Sequence, residues 1–195
     1  MKRVFLALGL AILLSGCAAG GRSQSEVAVY DLGPLDEGVG RDPAFADVAL
    51  EIGLPEWLDT SAMLYRLDYA DSRRIRAYAQ ARWAASPKLM LQRRLRQQLG
   101  LLPGASRCTL RVEVHEFGQR FSSARHSDVL VRGEALLIAR GGVLHGRHAL
   151  EMRQAAPGAD AAGGAAALAI VGERLAVTLG DWLRSRDLSV CRKAG

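Results

Sequence analysis

The residues of this 195-residue chain whose types could do chemistry are three cysteines, four histidines and a scatter of carboxylates. The cysteines are Cys17, Cys108 and Cys191. A cysteine can serve as nucleophile, metal ligand, half of a disulfide or acceptor of a lipid. The histidines are His115, His126, His145 and His148. His145 and His148 are three apart, which on a strand sends the rings to opposite faces, so surface histidines are the simpler reading and a shared metal is not indicated. Glu113 and Glu116 have the same spacing, so a carboxylate pair for acid–base work is not indicated either. No serine sits in a G-x-S-x-G elbow, and no G-x-x-x-x-G-K-[ST] loop is present to cradle phosphate. Gly141-Gly142 reads as a hairpin turn that needs positive φ. The expectation is a non-enzyme with no metal, no catalytic residue and no cofactor beyond a covalent lipid. A periplasmic hydrolase would need a pocket with a nucleophile or metal that these residues do not announce.

The lipid is argued from the first residues. Lys2 and Arg3 precede an uncharged apolar run from Val4 to Leu14, about half the length needed to span a bilayer. A basic head on so short a run is the pattern of a secretory signal. Leu14-Ser15-Gly16-Cys17 then resembles the bacterial lipobox, in which the cysteine is lipidated and becomes the first mature residue; the alternative is an ordinary signal with a chance cysteine. Several acyl chains, palmitate among them, would anchor the protein to a membrane far better than one. Ala18, a non-Asp residue after the cysteine, resembles the sorting pattern for the outer membrane. The expected organisation is a signal peptide at 1–16, a small and polar lipidated tether at 17–26 and one domain at 27–195, on the periplasmic face of the outer membrane. With Cys17 lipidated, Cys108 and Cys191 remain in an oxidising compartment, which suggests a disulfide, with two unpaired thiols as the alternative.

Charge is distributed unevenly. The whole chain carries +6. Residues 26–71 hold 11 acidic residues and two Arg, whereas residues 72–111 hold 10 basic residues and no acidic one. One reading is mutual neutralisation across the fold. The other is a basic face of Arg74, Arg76, Arg82, Arg93, Arg94 and Arg96, fitted to an acidic protein or anionic head groups. Of 26 basic residues 23 are Arg, the side chain that pairs bidentately with carboxylate or phosphate. Nucleic acid is excluded as a partner by the compartment. Trp57 and Trp83 lie near turn-like segments and are candidate aromatic anchors, with core packing as the competing fate.

The elements that must position these residues follow from periodicity. Residues 27–32 are apolar and β-branched, a first strand. Residues 33–43, rich in Gly and Pro, read as a loop. In 47–54, Val48, Leu50 and Ile52 alternate with Ala49, Glu51 and Gly53, a half-buried strand. Residues 63–69 and 75–83 form a hairpin, with Ile75, Ala77, Ala79 and Ala81 on one face and Arg74, Arg76, Tyr78, Gln80 and Arg82 on the other. Ser86-Pro87 opens a helix with an apolar stripe at Leu91, Leu95, Leu99 and Leu102. Strands follow at 108–117, with Leu110, Val112 and Val114 inward, and at 128–139 and 143–153. Residues 156–164 read as a loop. A helix at 165–186 carries its stripe on Leu168, Val171, Leu175, Leu179 and Trp182. The fold expected is α+β: a single domain with an antiparallel or mixed β-sheet and two main helices packed on it.

In this order the residues resemble the ABC-type transport auxiliary lipoprotein family, which includes PqiC/YmbA-like outer-membrane lipoproteins. The lipobox and tether lead to Tyr30-Asp31-Leu32, then to Pro55-x-Trp57-Leu58-Asp59 and Met63-x-Tyr65-Arg66. Tyr78 and Arg82-Trp83-Ala84 precede the Pro87 helix, and Phe117, Phe121 and the Trp182 helix complete the series over residues 27–187. The second half is poorer in aromatics than the family, and the Cys108/Cys191 pair is not carried over from it. The resemblance implies an auxiliary, docking component of an ABC system whose periplasmic protein is of the MCE (mammalian cell entry) type, moving lipids or other hydrophobic molecules. ATPase and permease would be other chains. A homo-oligomer matched to an oligomeric MCE partner is expected on the partner's symmetry. The alternative is an outer-membrane lipoprotein that scaffolds or activates a cell-wall synthase or efflux complex.

Overall fold

The computed structural model describes residues 26–34, 42–101 and 106–192. Cys17, the signal segment and the tether up to residue 25 lie outside the described residues, as does Leu102. The chain runs β1 (Ala28–Tyr30), β2 (Val48–Gly53), β3 (Ala62–Leu67), a one-turn helix α1 (Asp68–Asp71), β4 (Ser72–Trp83), α2 (Pro87–Leu99), β5 (Cys108–Ser123), β6 (His126–Ala139), β7 (Val143–Ala155) and α3 (Ala161–Arg184). The strands make one seven-stranded mixed sheet in the order β1-β4-β3-β5-β6-β7, with β2 beside β5. β5 is long enough to pair with two strands on one side: its first half runs parallel to β2 and its last third parallel to β3. On its other side β5 is antiparallel to β6 along nearly its whole length. The fold is α+β in a single domain.

Helices α2 and α3 cover one face of the sheet, the inner face. The apolar stripe of α3 buries Leu168, Val171, Leu175, Leu179 and Trp182, and that of α2 buries Leu91, Leu95 and Leu99. Against them stand Val48, Leu50 and Ile52 of β2, Leu110, Val112 and Val114 of β5, and Ala135 and Leu137 of β6. α3 is long and apolar enough to cross a membrane, but its stripe is packed into this core. Cys108, at the start of β5, and Cys191, in the turn after α3, are bonded, with Cα atoms 5.1 Å apart.

Several local expectations are overturned. α3 begins at Ala161, four residues before the expected start, because Asp160 caps it by accepting from the Gly163 N–H and because glycine is required inside its first turn. A Cβ on Gly163 would lie 2.1 Å from the Gly158 carbonyl oxygen, and one on Gly164 2.2 Å from Gln119 Oε1. α3 also ends at Arg184, two residues early. β5 runs on to Ser123 past the expected end at Phe117. A bulge at His115 moves burial from the even positions 108–114 to Phe117, Gln119 and Phe121. β4 begins at Ser72 and carries a larger irregularity: Ala62 faces Arg82 but Leu64 faces Ala77. Its two halves therefore present opposite parities to the core, and the single alternation expected for 74–82 does not hold. Ala81 and Trp83 are inward in the second half, whereas Arg76 and Tyr78 are inward in the first.

Candidate functional site

The sheet face away from the helices is the outer face. It is assembled from cross-strand partners, which share a side of the pleat. Arg66 lies beside Arg120, Gly118 beside Leu130, Glu116 beside Arg132, and Arg132 beside Glu151. An ion-pair chain crosses three strands and α1. Arg120 grips Asp68 with two hydrogen bonds, at 2.8 and 3.1 Å, and reaches Glu116 at 3.1 Å. Glu116 also accepts from Arg132 at 3.0 Å, Arg132 from its other side meets Glu151 at 3.2 Å, and Arg153 bridges to Asp128 at 3.0 Å. The Asp68 hydrogen bonds, more than any other influence, hold the Arg120 guanidinium in its charged form.

The His115 bulge corrects one expectation here. Glu113 stands opposite Glu134 and Glu116 opposite Arg132, two positions of the same β6 face, so Glu113 and Glu116 point to the same side. They remain unsuited to acid–base work as a pair. Glu113 lies 3.9 Å from Arg111, and Glu116 is held by two arginines. His145 is exposed, whereas His148 is half-buried and stacks on Trp182 at 5.6 Å. Among the described residues no cluster of three or more His, Cys, Asp or Glu could hold a metal ion.

At the β4 side of the outer face the charged tiling gives way to a shallow apolar groove. Trp57, Leu64, Ile75, Gly118 and Leu130 line it, and Arg66, Glu116 and Arg120 rim it. Pro55 starts the turn that sets Trp57 in place: its carbonyl accepts from the Leu58 and Asp59 N–H groups while Leu58 is buried as a plug. Trp57 is left 47% exposed and Ile75 41% exposed, so both offer apolar surface to solvent. Arg66 donates to the Ser72 and Arg73 carbonyls and ties the start of β4 to β3.

Beneath the inner side of this region lies a polar knot. Gln119 accepts from the Tyr78 hydroxyl at 2.9 Å and donates to Ser127 Oγ at 2.7 Å, while Tyr78 packs on Tyr65 with ring centroids 4.6 Å apart. Burial, more than its neighbours Tyr65 and Asp160, pushes the Tyr78 hydroxyl far above the usual phenol range.

The six arginines of the expected basic face are divided by the structure. Arg74 is exposed and Arg76 half-buried in the first half of β4. Arg82 is exposed near its other end, and because its neighbours Ala81 and Trp83 turn inward it lies on the outer side. Arg93 is exposed and Arg96 half-buried on α2. Among the described residues, none of these five lies within ion-pair distance of a carboxylate. Arg94 is different. Only 3% exposed, it donates to the Leu32 and Gly33 carbonyls and sits 3.7 Å from Glu173, joining the exit of β1 to α2 and α3. It belongs to the interior because it falls three residues after Leu91 and four after Met90, on the buried side of the helix. The two tryptophans also part. Trp83 is 2% exposed and packs edge-on against Phe117 at 5.9 Å, so it is core, and of the two only Trp57 offers an exposed aromatic surface. Leu64, Ile75, Gly118 and Leu130 carried no sequence signal, since they meet only through pairing of β3, β4, β5 and β6.

Comparison with known proteins completes the picture. The family model described as "ABC-type transport auxiliary lipoprotein component" matches residues 30–180, and the model for the prokaryotic membrane lipoprotein lipid attachment site matches residues 1–18, which include Cys17. No curated protein matches the chain. A crystal structure of a Xanthomonas campestris protein of the DUF330 family is similar at TM-score 0.67 and 15% identity, covering 80% of this chain and 94% of that one. The crystal structure of an uncharacterized protein is similar at TM-score 0.62 and 18% identity, covering 81% of this chain and 99% of that one. At these identities the two structures speak for the fold.

Proposed function

We propose a role that proceeds from one premise: the chain belongs to the ABC-type transport auxiliary lipoprotein family and is a lipid-anchored component that accompanies an ABC transporter. Our reading is that it docks a periplasmic MCE-type protein at the outer membrane, in a system that moves lipids or other hydrophobic molecules. Residues 1–16 are the signal peptide in this reading. Cys17 carries the lipid, 17–26 form the tether, and Ala18 directs the protein to the outer membrane. The family match, which covers most of the folded domain, carries the proposal.

The surface supports a docking role over a catalytic one. The groove offers apolar side chains, and its one carboxylate, Glu116, is already held by Arg120 and Arg132. Exposed Arg74, Arg82 and Arg93 offer charge to an acidic protein surface. A homo-oligomer matched to an oligomeric partner forms part of the reading, and mass photometry showing only monomer removes that part.

The test is crosslinking in intact membranes followed by pull-down of the tagged lipoprotein. The expected result is outer-membrane fractionation and recovery of an MCE-type protein. Recovery of a cell-wall synthase or efflux component instead would replace this reading with the scaffolding role.

A further inference from the structure

β4 is twelve residues long, and β1 covers only its last three, Ala81, Arg82 and Trp83. Among the described residues no strand pairs with 72–80 on that side. An open strand edge is a row of unused backbone donors and acceptors and a template for another strand. This one runs beside the groove. Ile75 lies across from Arg66 and Ala77 across from Leu64, so both point to the outer face, where Ile75 joins Trp57 and Leu64. Arg74 and Arg76 fall on the opposite side of the pleat. The edge thus presents apolar surface on one face and positive charge on the other.

We propose that this edge and groove receive an extended segment of the docking partner as an added strand, with apolar residues directed to Trp57, Leu64 and Ile75 and acidic residues directed to Arg74 and Arg76. The inference rests on the docking role in that the occupant is a protein. Charge selects this occupant. A second copy paired antiparallel over 72–80 would set Arg76 directly against its own counterpart, with both Arg74 side chains on the same face, and repel. The chain's own residues 19–27 would continue β1 in register along the same edge. That segment, however, holds one Arg, one Glu and the Gly20-Gly21 pair, so neither charge nor strand propensity recommends it. An acidic, alternating segment satisfies the edge, the groove and the arginines together. Main-chain bonds would supply affinity and the two faces specificity.

The test uses the full-length lipoprotein in detergent and two nine-residue peptides, one alternating Glu and Val, the other Lys and Val. Fluorescence anisotropy reads binding, and amide hydrogen exchange reads its location. The Glu/Val peptide is expected to bind at least tenfold more tightly than the Lys/Val peptide and to slow exchange across 72–80. The Arg74→Glu/Arg76→Glu variant is expected to lose at least tenfold in affinity with Tm unchanged. Should that variant fail to fold, Arg74→Ala, at an exposed position, makes the same comparison. Equal binding of the two peptides, unchanged affinity in the variant or protection that leaves 72–80 unchanged overturns the proposal. So does protection of 72–80 in the free protein that disappears on replacing residues 19–26, which would make the tether the occupant. The same variant in the membrane crosslinking assay separates the two ideas. An MCE-type protein captured undiminished by the charge-reversed variant overturns strand addition and leaves the docking role standing. Peptide binding at 72–80 without recovery of such a protein upholds strand addition and sinks the docking role.

Discussion

Reduction of the Cys108–Cys191 bond should cost the protein several kcal/mol of stability. The bond closes a loop with a sequence separation of 83 residues, which contains most of β5, all of β6 and β7, and α3. On the chain-entropy model a loop of that size restricts the unfolded chain by about 4.5 kcal/mol at 25 °C. The whole amount appears only if the chain end stays docked in the reduced native state. Contacts that favour docking survive reduction: Leu188 and Cys191 are buried, and Arg107 donates to the Arg192 carbonyl at 3.0 Å. The expected loss is therefore about 3–4.5 kcal/mol. With an m-value of about 2 kcal/mol/M for a domain of this size, the urea midpoint should fall by roughly 1.5–2 M. The assay is paired urea titrations of oxidised and reduced wild type followed by circular dichroism. Reduction is preferred to Cys→Ala because it opens no cavity at the buried sulfurs. Midpoints within about 0.3 M of each other would refute the reasoning, by showing that the crosslink does not constrain the unfolded chain as the model requires.

The two tryptophans should behave oppositely. Trp83→Ala should cost about 3–5 kcal/mol in urea unfolding, as expected for an aromatic lost from the core; Trp57→Ala should cost about 0.5 kcal/mol and weaken partner capture. Gly133→Ala should lower stability by about 2–3 kcal/mol by thermal melt, because its Cβ would lie 2.0 Å from the Glu113 carbonyl oxygen across the ladder. The Asp42 carboxyl is held below its usual range, first by the Ala44 N–H and then by Arg184. A depressed folded-state value means that its stabilisation is full above the unfolded value of about 3.9 and is lost as pH falls through the lower folded value. The stability gap between wild type and Asp42→Asn should accordingly be present at pH 7 and shrink below about pH 4 in pH-resolved denaturation.

Much of the fold was legible because period and punctuation were strong. The α2 start at Pro87, the leucine stripe of α3 and the Gly141-Gly142 turn, with φ of +81° and +80°, stand where the pattern puts them. The misses share a cause. The sequence around His115 shows no bulge residue such as Gly, so strict alternation placed Glu113 and Glu116 on opposite faces, and the extra residue brought them together. The irregularity in β4 likewise reversed the faces of Arg74 and Arg76. Arg94 was readable in part, because its spacing from Met90 and Leu91 places it on the buried stripe, but counting it with its charged neighbours hid this.

By itself the sequence determined the periods of the elements, the lipid-bearing cysteine within an attachment-site pattern, the family, and the excess of arginine over acid between residues 72 and 111, because all of these are local or linear properties of the chain. Tertiary structure alone decided which side chains meet. Strand register, shifted at His115, set Glu116 opposite Arg132 on the outer face, where Arg120 also reaches it. Sheet order left one edge of residues 72–80 without a strand neighbour among the described residues and brought Trp57, Leu64, Ile75 and Leu130 into one groove from four separate segments. A displacement of one residue in pairing turns a side chain from core to solvent, and no local pattern encodes where such a displacement falls.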